Sequence, residues 1–246
     1  MKNRQVVWGV SVAVFCVLPV AVLAQDISLS LGEGGSLAGR SIQLILLITV
    51  LSLAPGLLIM ITCFPFLVTV LAILRQAIGL QQSPPNMLII SLALFLTYFI
   101  MEPVFQSAWQ AGIQPLIDEQ IDAETAVERS LDPFRAFMVD RIDPDTFSAM
   151  AELRPETALA NVEPEAPLSL LIPSFLLSEI ARAFQIGFLI FMPFLIIDLV
   201  VAAILMSMGM MMVPPAIVSL PFKLAFFVVA DGWSLIASSL VRSYGT

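Results

Sequence analysis

Histidine is absent from this chain of 246 residues, and cysteine occurs only twice. The lack of histidine excludes a Ser-His-Asp triad and any metal site built on histidine ligands. Cys16 lies in an N-terminal stretch that we expect to be removed, which leaves Cys63 alone and excludes an internal disulfide. Cys63 lies among apolar and aromatic residues, where a small buried side chain is more common than a reactive thiol. We therefore predict no metal, no cofactor and no enzymatic activity.

Charged residues are also scarce. They make up 12% of the chain, whereas 59% of the residues are hydrophobic and the mean hydropathy is +0.98. This balance is far from that of a soluble globular protein and indicates a membrane-associated one. The net charge of −8 is concentrated in residues 118–165, which hold 13 acidic and 4 basic residues. The rest of the chain lacks the basic patch that nucleic acid binding requires.

The N-terminus has the parts of a secretory signal peptide. Lys2 and Arg4 precede an apolar core, and small residues at positions 22 and 24 predict cleavage before Gln25. A short uncleaved anchor is the alternative, although the apolar run is too short to span a bilayer comfortably. We assign residues 1–24 to the signal peptide and the glycine-rich residues 25–40 to a flexible exported leader.

Two long apolar runs follow. The first, residues 41–75, contains Pro55 and Pro65, which we expect to divide its helix. The second, residues 86–106, is expected to close near Pro103. Irregular backbone cannot face lipid, because its freed amides and carbonyls would have no hydrogen-bond partner. The broken runs therefore predict kinked spans or half-helices that pack largely against protein.

Residues 107–169 form the acidic segment, which we predict to be helical and to lie in water. Apolar residues recur at near-helical spacing between its acids, as in an amphipathic helix. Asp132-Pro133 and Asp143-Pro144 each combine an N-cap residue with proline at the first helical position. These signals predict three short helices and then a linker marked by prolines. We interpret the carboxylates as a solvated face rather than a catalytic pair.

A few ionisable residues lie within the apolar sequence of the last block. Asp198 and Lys223 are candidates for a proton relay or a buried pair, since such groups are costly in an apolar helix. In the structural interpretation, which we favour, Asp198 pairs with Lys223, Arg182 or backbone donors at a subunit contact. Glu179 and Arg182, three residues apart, are interpreted as an ordinary pair on a helix surface.

A methionine-rich stretch joins the last two apolar units, residues 170–212 and 213–246. Gly209, Pro214 and Pro215 indicate that the helix breaks in this stretch. Methionine is unbranched and polarisable, so the cluster forms an apolar surface that can adapt to different contacts. A core patch beside a helix turn is one interpretation, and a deformable loop facing a passage is the one we favour. The cluster comprises Met206, Met208, Met210, Met211 and Met212.

The last block also contains two long runs of distinctive sequence. Residues 172–188 read IPSFLLSEIARAFQIGF, and residues 191–201 read FMPFLIIDLVV. Shorter matching runs are residues 208–215, 220–223 and 231–233. Together these runs resemble the signature of the FliP family, the flagellar type III export gate subunits.

The resemblance implies an all-α membrane-associated protein with broken apolar helical hairpins and a small acidic helical segment. It implies that several copies assemble with FliQ, FliR and other export apparatus proteins into a helical gate. Unfolded flagellar proteins would be the substrates, and the location would be the bacterial inner membrane at the flagellar basal body. In such proteins the methionine loop is a gasket at the narrowest point of the channel. Arg75 predicts a cytoplasmic loop after the first apolar unit, which puts the acidic segment in the periplasm.

Three other classes compete with the flagellar gate. The equivalent subunit of a virulence-type (injectisome) secretion system is the nearest, although those relatives usually lack a signal peptide. A small-solute transporter should show a pair of internal repeats, and none is convincing here. An intramembrane enzyme would need a nucleophile and base or a metal set, for which the sequence offers only weak candidates.

Overall fold

The computed structural model of the chain describes residues 37–80, 84–157, 161–210 and 212–245. The predicted signal peptide, residues 1–24, and most of the predicted leader lie outside the described residues. Within the described ranges the secondary structure is helical and includes no strand, which confirms the predicted all-α class.

Nine α-helices and one π-helical turn form the described part of the chain. In chain order they are α1 (Leu37–Met60), α2 (Phe64–Ile78), α3 (Asn86–Ala108), the π-helical turn (Trp109–Ile113), α4 (Gln114–Ile117), α5 (Ala123–Arg141), α6 (Pro144–Glu152), α7 (Leu168–Ser207), α8 (Pro215–Val229) and α9 (Gly232–Arg242).

The chain divides into two compact units, Met1–Val50 and Leu51–Thr246. α1 crosses the boundary between them, and α2 to α9 belong to the second unit. The second unit has an apolar core in which α2 is the most deeply buried element. The buried apolar side chains of α2 include Phe66, Leu67, Val70, Leu71 and Leu74, and those of α7 include Leu171, Phe175 and Ala183.

Several prolines lie inside long helices. α1 continues through Pro55, and α3 continues through Pro103. The breaks that we expected at these two prolines are therefore wrong. A proline in a helix costs about 3 kcal/mol. Packing offsets this cost at Pro103, where Met101 is buried and Phe105 lies against the core. The side chains around Pro55 are mostly exposed, so packing within the chain does not account for the helix there. Pro65 does mark a break, because it lies in the first turn of α2, where no helical hydrogen bond is lost.

Three short helices were expected in the acidic segment. The long helix α5 takes the place of the first two. α5 has 19 residues and runs through Pro133, so the helix start predicted at this proline is wrong. Phe134 and Met138 are buried one turn apart on α5, and this packing supports the helix across the proline. The second predicted start is confirmed, because the Asp143 carboxylate caps α6 by accepting the Thr146 backbone N–H at 2.9 Å.

Two helical stretches are long and apolar enough to cross a membrane, Asn86–Ile117 and Leu168–Ser207, with mean hydropathies of 2.1 and 2.8. The end of α1 with α2, and α8 with α9, pass the same test as bent pairs. The described residues therefore provide two to four candidate spans. The second apolar helix is longer than the predicted residues 86–106, because the π-helical turn continues it to Ile117.

The π-helical turn packs closely against α5 at Gly112. A Cβ atom at Gly112 would lie 2.3 Å from the Ala126 carbonyl oxygen and 2.9 Å from the Ser130 nitrogen. Both are backbone atoms, which cannot move aside as the tip of a side chain can. This close approach of two helices therefore requires glycine.

We expect Gly112→Ala to lower the free energy of unfolding by about 1–3 kcal/mol, because α5 must move away from the turn. Thermal denaturation of the full chain purified in detergent measures this loss. Gly56→Ala is the matched control, since no described atom lies within 4 Å of a Cβ placed at Gly56. Equal melting temperatures for the two variants would contradict the packing described here.

Candidate functional site

The break between α7 and α8 forms a short loop that contains Met208, Met210 and Met212, and Met206 lies in the last turn of α7. α7 ends at Ser207, and Gly209 is left-handed with φ of +74°. The Gly209 N–H donates to the Met206 carbonyl oxygen at 3.0 Å, and the Met210 N–H donates to that of Leu205 at 3.0 Å. This pair of bonds is the Schellman pattern, which glycine allows because it has no Cβ. The helix break predicted from Gly209 is confirmed.

The other end of the loop is set by two prolines. Pro214 is extended, with ψ of 119°, and Pro215 is the first residue of α8. Proline suits the first helical position because its φ is already helical and its missing N–H has no helical partner. A glycine turn on one side and a proline pair on the other thus bound the loop.

The described methionines of this cluster are exposed. The exposed fraction is 62% for Met206, 59% for Met208, 44% for Met210 and 97% for Met212, and Met211 lies outside the described residues. A core patch would bury these side chains, so that interpretation is wrong for the described methionines within a single chain. The loop instead presents an apolar surface, which in proteins marks a site of contact with another molecule.

An apolar groove of about 410 Å³ lies between α7 and α8 next to the loop. Ile204 and Met208 line it from the α7 side, and Val218 and Phe222 line it from α8. All the side chains that line the groove are apolar. The exposed apolar surface therefore continues from the loop along the helical hairpin.

A partly buried ion pair ties α8 to α7 roughly two to three turns from the loop, and the Asp198 side chain is 32% exposed. Lys223 is 5% exposed, and its Nζ lies 2.6 Å from Asp198 Oδ2. The Ser219 hydroxyl donates to the other carboxylate oxygen at 2.6 Å. Both oxygens of Asp198 are thus bonded within the chain. The pairing of Asp198 with Lys223 within the chain agrees with one of the pairings named in the structural interpretation.

Lys223 also binds the C-terminal end of α2. Its Nζ donates to the Ala77 carbonyl oxygen at 3.2 Å. The last carbonyls of a helix have no helical partner and carry the negative end of the helix dipole, so an ammonium group there is favoured. α2 stops immediately afterwards at Gly79, which has φ of +88°. One ammonium group therefore joins α2, α7 and α8.

Glu179 lies at the centre of a second buried cluster. Its side chain is fully buried, and Oε1 lies 3.0 Å from Arg141 Nε and 3.5 Å from Arg182 Nη1. The Tyr244 hydroxyl donates to the other oxygen, Oε2. The pair of Glu179 with Arg182 is confirmed, but its interpretation as a surface pair is wrong. The carboxylate is buried because Arg141 and Tyr244, from distant parts of the chain, supply the additional donors that a buried charge needs.

Tyr244 is a neutral donor in this cluster. Burial, together with the neighbouring Glu179 carboxylate, raises the pKa of Tyr244 well above its usual range. The phenol therefore keeps its proton at every physiological pH. The Arg141 guanidinium stacks over the same ring, with Cζ 4.0 Å from the ring centroid, in a cation–π contact.

Sequence spacing did not reveal this cluster. Arg182 is the one basic residue within helical reach of Glu179. Tyr244 is one of only two tyrosines in the chain, but it lies 65 residues from Glu179. Arg141 closes the acidic helix α5 and is separated from Glu179 by 38 residues, which places it beyond any helical periodicity.

We expect Lys223→Met and Asp198→Asn each to lower the stability by roughly 1–3 kcal/mol, because each leaves polar partners unpaired. The double variant should lose less than the sum, since the two side chains contact each other directly. Thermal denaturation of the full chain in detergent measures the three losses. Additive losses would contradict the pairing. Loss of transport by Asp198→Asn, with assembly and melting temperature unchanged, would favour a relay.

We expect Arg141→Met to be more damaging than Arg182→Met. Arg141 is 14% exposed and lies closer to Glu179, whereas Arg182 is 34% exposed. Loss of Arg141 should cost about 3–5 kcal/mol because it removes the principal partner of a buried charge, and loss of the more exposed arginine should cost about 1 kcal/mol. Melting temperatures compare the two variants, and the reverse order would contradict the burial described.

Comparison with known proteins gives one consistent result. Residues 47–240 match the FliP family. The chain is 50% identical over 248 residues to the flagellar biosynthetic protein FliP of Caulobacter vibrioides, covering 98% of this chain and 91% of the relative. It is 46% identical over 239 residues to that of Agrobacterium fabrum, covering 96% and 98%. It is 45% identical over 207 residues to that of Bacillus subtilis, covering 83% and 92%.

The matched region includes the loop between α7 and α8, the ion pair of Asp198 with Lys223, and Glu179 with both of its arginines. It also spans the acidic segment and most of the apolar helices. Since the match covers most of the chain, and since full-length relatives share close to half of its residues, the chain belongs to the FliP family.

Proposed function

We propose that this chain is a core subunit of the flagellar type III protein export gate. In this proposal several copies assemble with FliQ, FliR and other export apparatus proteins around a channel for unfolded flagellar proteins. The relatives are named as flagellar biosynthetic proteins, so flagellar biosynthesis is the process in which the chain takes part. The same names favour the flagellar system over a virulence-type one. The chain is a structural component of that apparatus rather than an enzyme.

The exposed methionine loop is the observation that carries the channel proposal. Met212 is 97% exposed, and the other described methionines of the loop are at least 44% exposed. An apolar loop of this kind needs a covering surface, because exposed apolar area is unfavourable in water. Copies of the loop that meet around a common axis would cover one another. The five methionines would then form the gasket, with Gly209, Pro214 and Pro215 setting the ends of the loop.

The chemistry of the loop suits a seal that must open for many sequences. A ring of apolar side chains excludes water from a constriction and thereby blocks ions. Thioether side chains are flexible and polarisable, so they can rearrange around any residue of a passing polypeptide. No charged residue occurs between Asp198 and Lys223, and these two neutralise each other. The hairpin therefore carries no unpaired charge near the seal.

The two to four apolar spans and the acidic segment support a location in the bacterial inner membrane at the flagellar basal body. The acidic segment would lie on the periplasmic side, following the orientation predicted from Arg75. The break at Ile61–Cys63 is already buried within the chain. The methionine loop would be covered by neighbouring subunits, because irregular backbone is not tolerated against lipid.

We expect the combined replacement of Met208, Met210 and Met212 by alanine to increase the leak of small solutes in cells that carry the assembled gate. Alanine shortens each side chain and leaves a wider, wetter constriction. Uptake of a small dye or the growth defect caused by ion leak measures the effect. An unchanged leak in cells with a normal amount of assembled gate would count against the gasket.

Two controls separate sealing from general damage. Met87→Ala removes a methionine that is 75% exposed at the start of α3, outside the loop, and should leave the leak unchanged. Replacing the three loop methionines by leucine keeps the loop apolar but makes it stiffer. We expect the leucine variant to stay sealed and to export flagellar proteins more slowly.

A further inference from the structure

The chain bends sharply between α8 and α9. The two helices are inclined by 61°, and Asp231 at the bend is left-handed with φ of +48°. Aspartate is one of the few residues besides glycine that adopt this conformation at modest cost. The bend is packed closely on one side, since a Cβ at Gly232 would lie 2.2 Å from the Phe227 ring. Asp231 is thus a defined pivot between two straight helices.

The helix α9 contacts the rest of the second unit through one apolar face. Gly232 and Leu240 are buried, and Ile236, Ala237 and Val241 are half-buried against the core. The hydroxyl groups of Ser238 and Ser239 donate to the Leu235 carbonyl oxygen within the same helix. The polar side chains of α9 for which bonds are described therefore do not anchor it to its neighbours.

Ser243 and Tyr244, which directly follow α9, make polar contacts with other helices. The Ser243 carbonyl oxygen accepts the Arg141 Nη1–H at 3.0 Å, and the Tyr244 hydroxyl donates to Glu179. The Tyr244 ring is stacked on Phe137 with centroids 6.0 Å apart. It also meets the Phe66 ring edge-on at 5.5 Å. These contacts reach α2, α5 and α7 from one side chain and one carbonyl.

We infer that Ser243 and Tyr244 form a latch that holds α9 against the second unit, and that α9 can pivot at Asp231 when the latch opens. α8 would stay in place during this movement, because it has its own anchor in Lys223, bound to Asp198 and to the Ala77 carbonyl oxygen. The bend at Asp231 thus separates the attachment of α8, through Lys223, from that of α9, through Ser243 and Tyr244. The inference rests on these contacts and does not depend on the channel role.

The division of contacts at Glu179 makes an open latch possible. Tyr244 binds Oε2, whereas both arginines bind Oε1. When Tyr244 leaves, the carboxylate loses one hydrogen bond but keeps two positive partners. A buried charge that remained without a counter-ion would forbid the open state, and here that state retains its neutralisation. Two arrangements of α9 are therefore accessible to the same core.

Hydrogen exchange of the full chain purified in detergent tests the latch. We expect Tyr244→Ala to speed exchange of the α9 amides by roughly tenfold or more, with α8 unchanged, because local opening exposes only the released segment. Tyr244→Phe keeps the ring contacts and removes the hydroxyl bond, so it should fold normally and give a smaller increase confined to α9. Ser243→Ala is the matched control with no expected change, since the Ser243 hydroxyl donates only to Leu240 in its own turn.

Lys223→Met provides the reciprocal measurement and should speed exchange in α8. Unchanged exchange in α9 for both tyrosine variants would overturn the latch. Equal acceleration of α8 and α9 by Tyr244→Phe would also overturn it, because it would show that the two helices are released as one body.

Discussion

A carboxylate taken out of water must be neutralised, and Glu179 imposes this requirement on the centre of the second unit. Its side chain is fully buried in an apolar helix, where an unpaired charge would cost several kcal/mol or more. Arg182 on the same helix supplies only part of the compensation. Arg141 from the acidic segment and Tyr244 from beyond α9 supply the rest. Neutralising Glu179 therefore requires the end of α5 and the residues after α9 to lie next to α7.

The ion pair of Lys223 with Asp198 also holds helices together, and it lies nearer the C-terminal end of α7 than Glu179 does. It closes the hairpin of α7 and α8, and it caps the end of α2 through the Ala77 carbonyl oxygen. Between the two polar clusters the contact of α2 with α7 is made by small and apolar groups. At its closest point Gly187 leaves no room for a Cβ beside Ile73. Directional polar bonds thus set the relative positions of the helices, and apolar packing fills the space between them.

This arrangement inverts the usual distribution of residue types. Glu179 and Lys223 are buried and paired, whereas methionines at the break between α7 and α8 are exposed. The inversion is reasonable for a membrane subunit that acts with neighbours, since its apolar surface is destined for lipid or for other chains. A rigid, neutralised hairpin can then carry a soft loop at its tip. The rigid part is the hairpin of α7 and α8, and the adaptable part is the methionine loop that joins them.

Local chemistry in the sequence was sufficient to predict three features: the helical class, the helix break at Gly209 and Pro214, and the helix cap at Asp143. Each of these depends on residues within one or two turns of one another. The helices that continue through Pro103 and Pro133 were not predictable in this way, because packing by distant residues outweighs a local penalty. The burial of Glu179 was likewise decided only by the tertiary structure. Its partners Arg141 and Tyr244 lie 38 and 65 residues away, and no periodicity of a single helix connects positions so far apart.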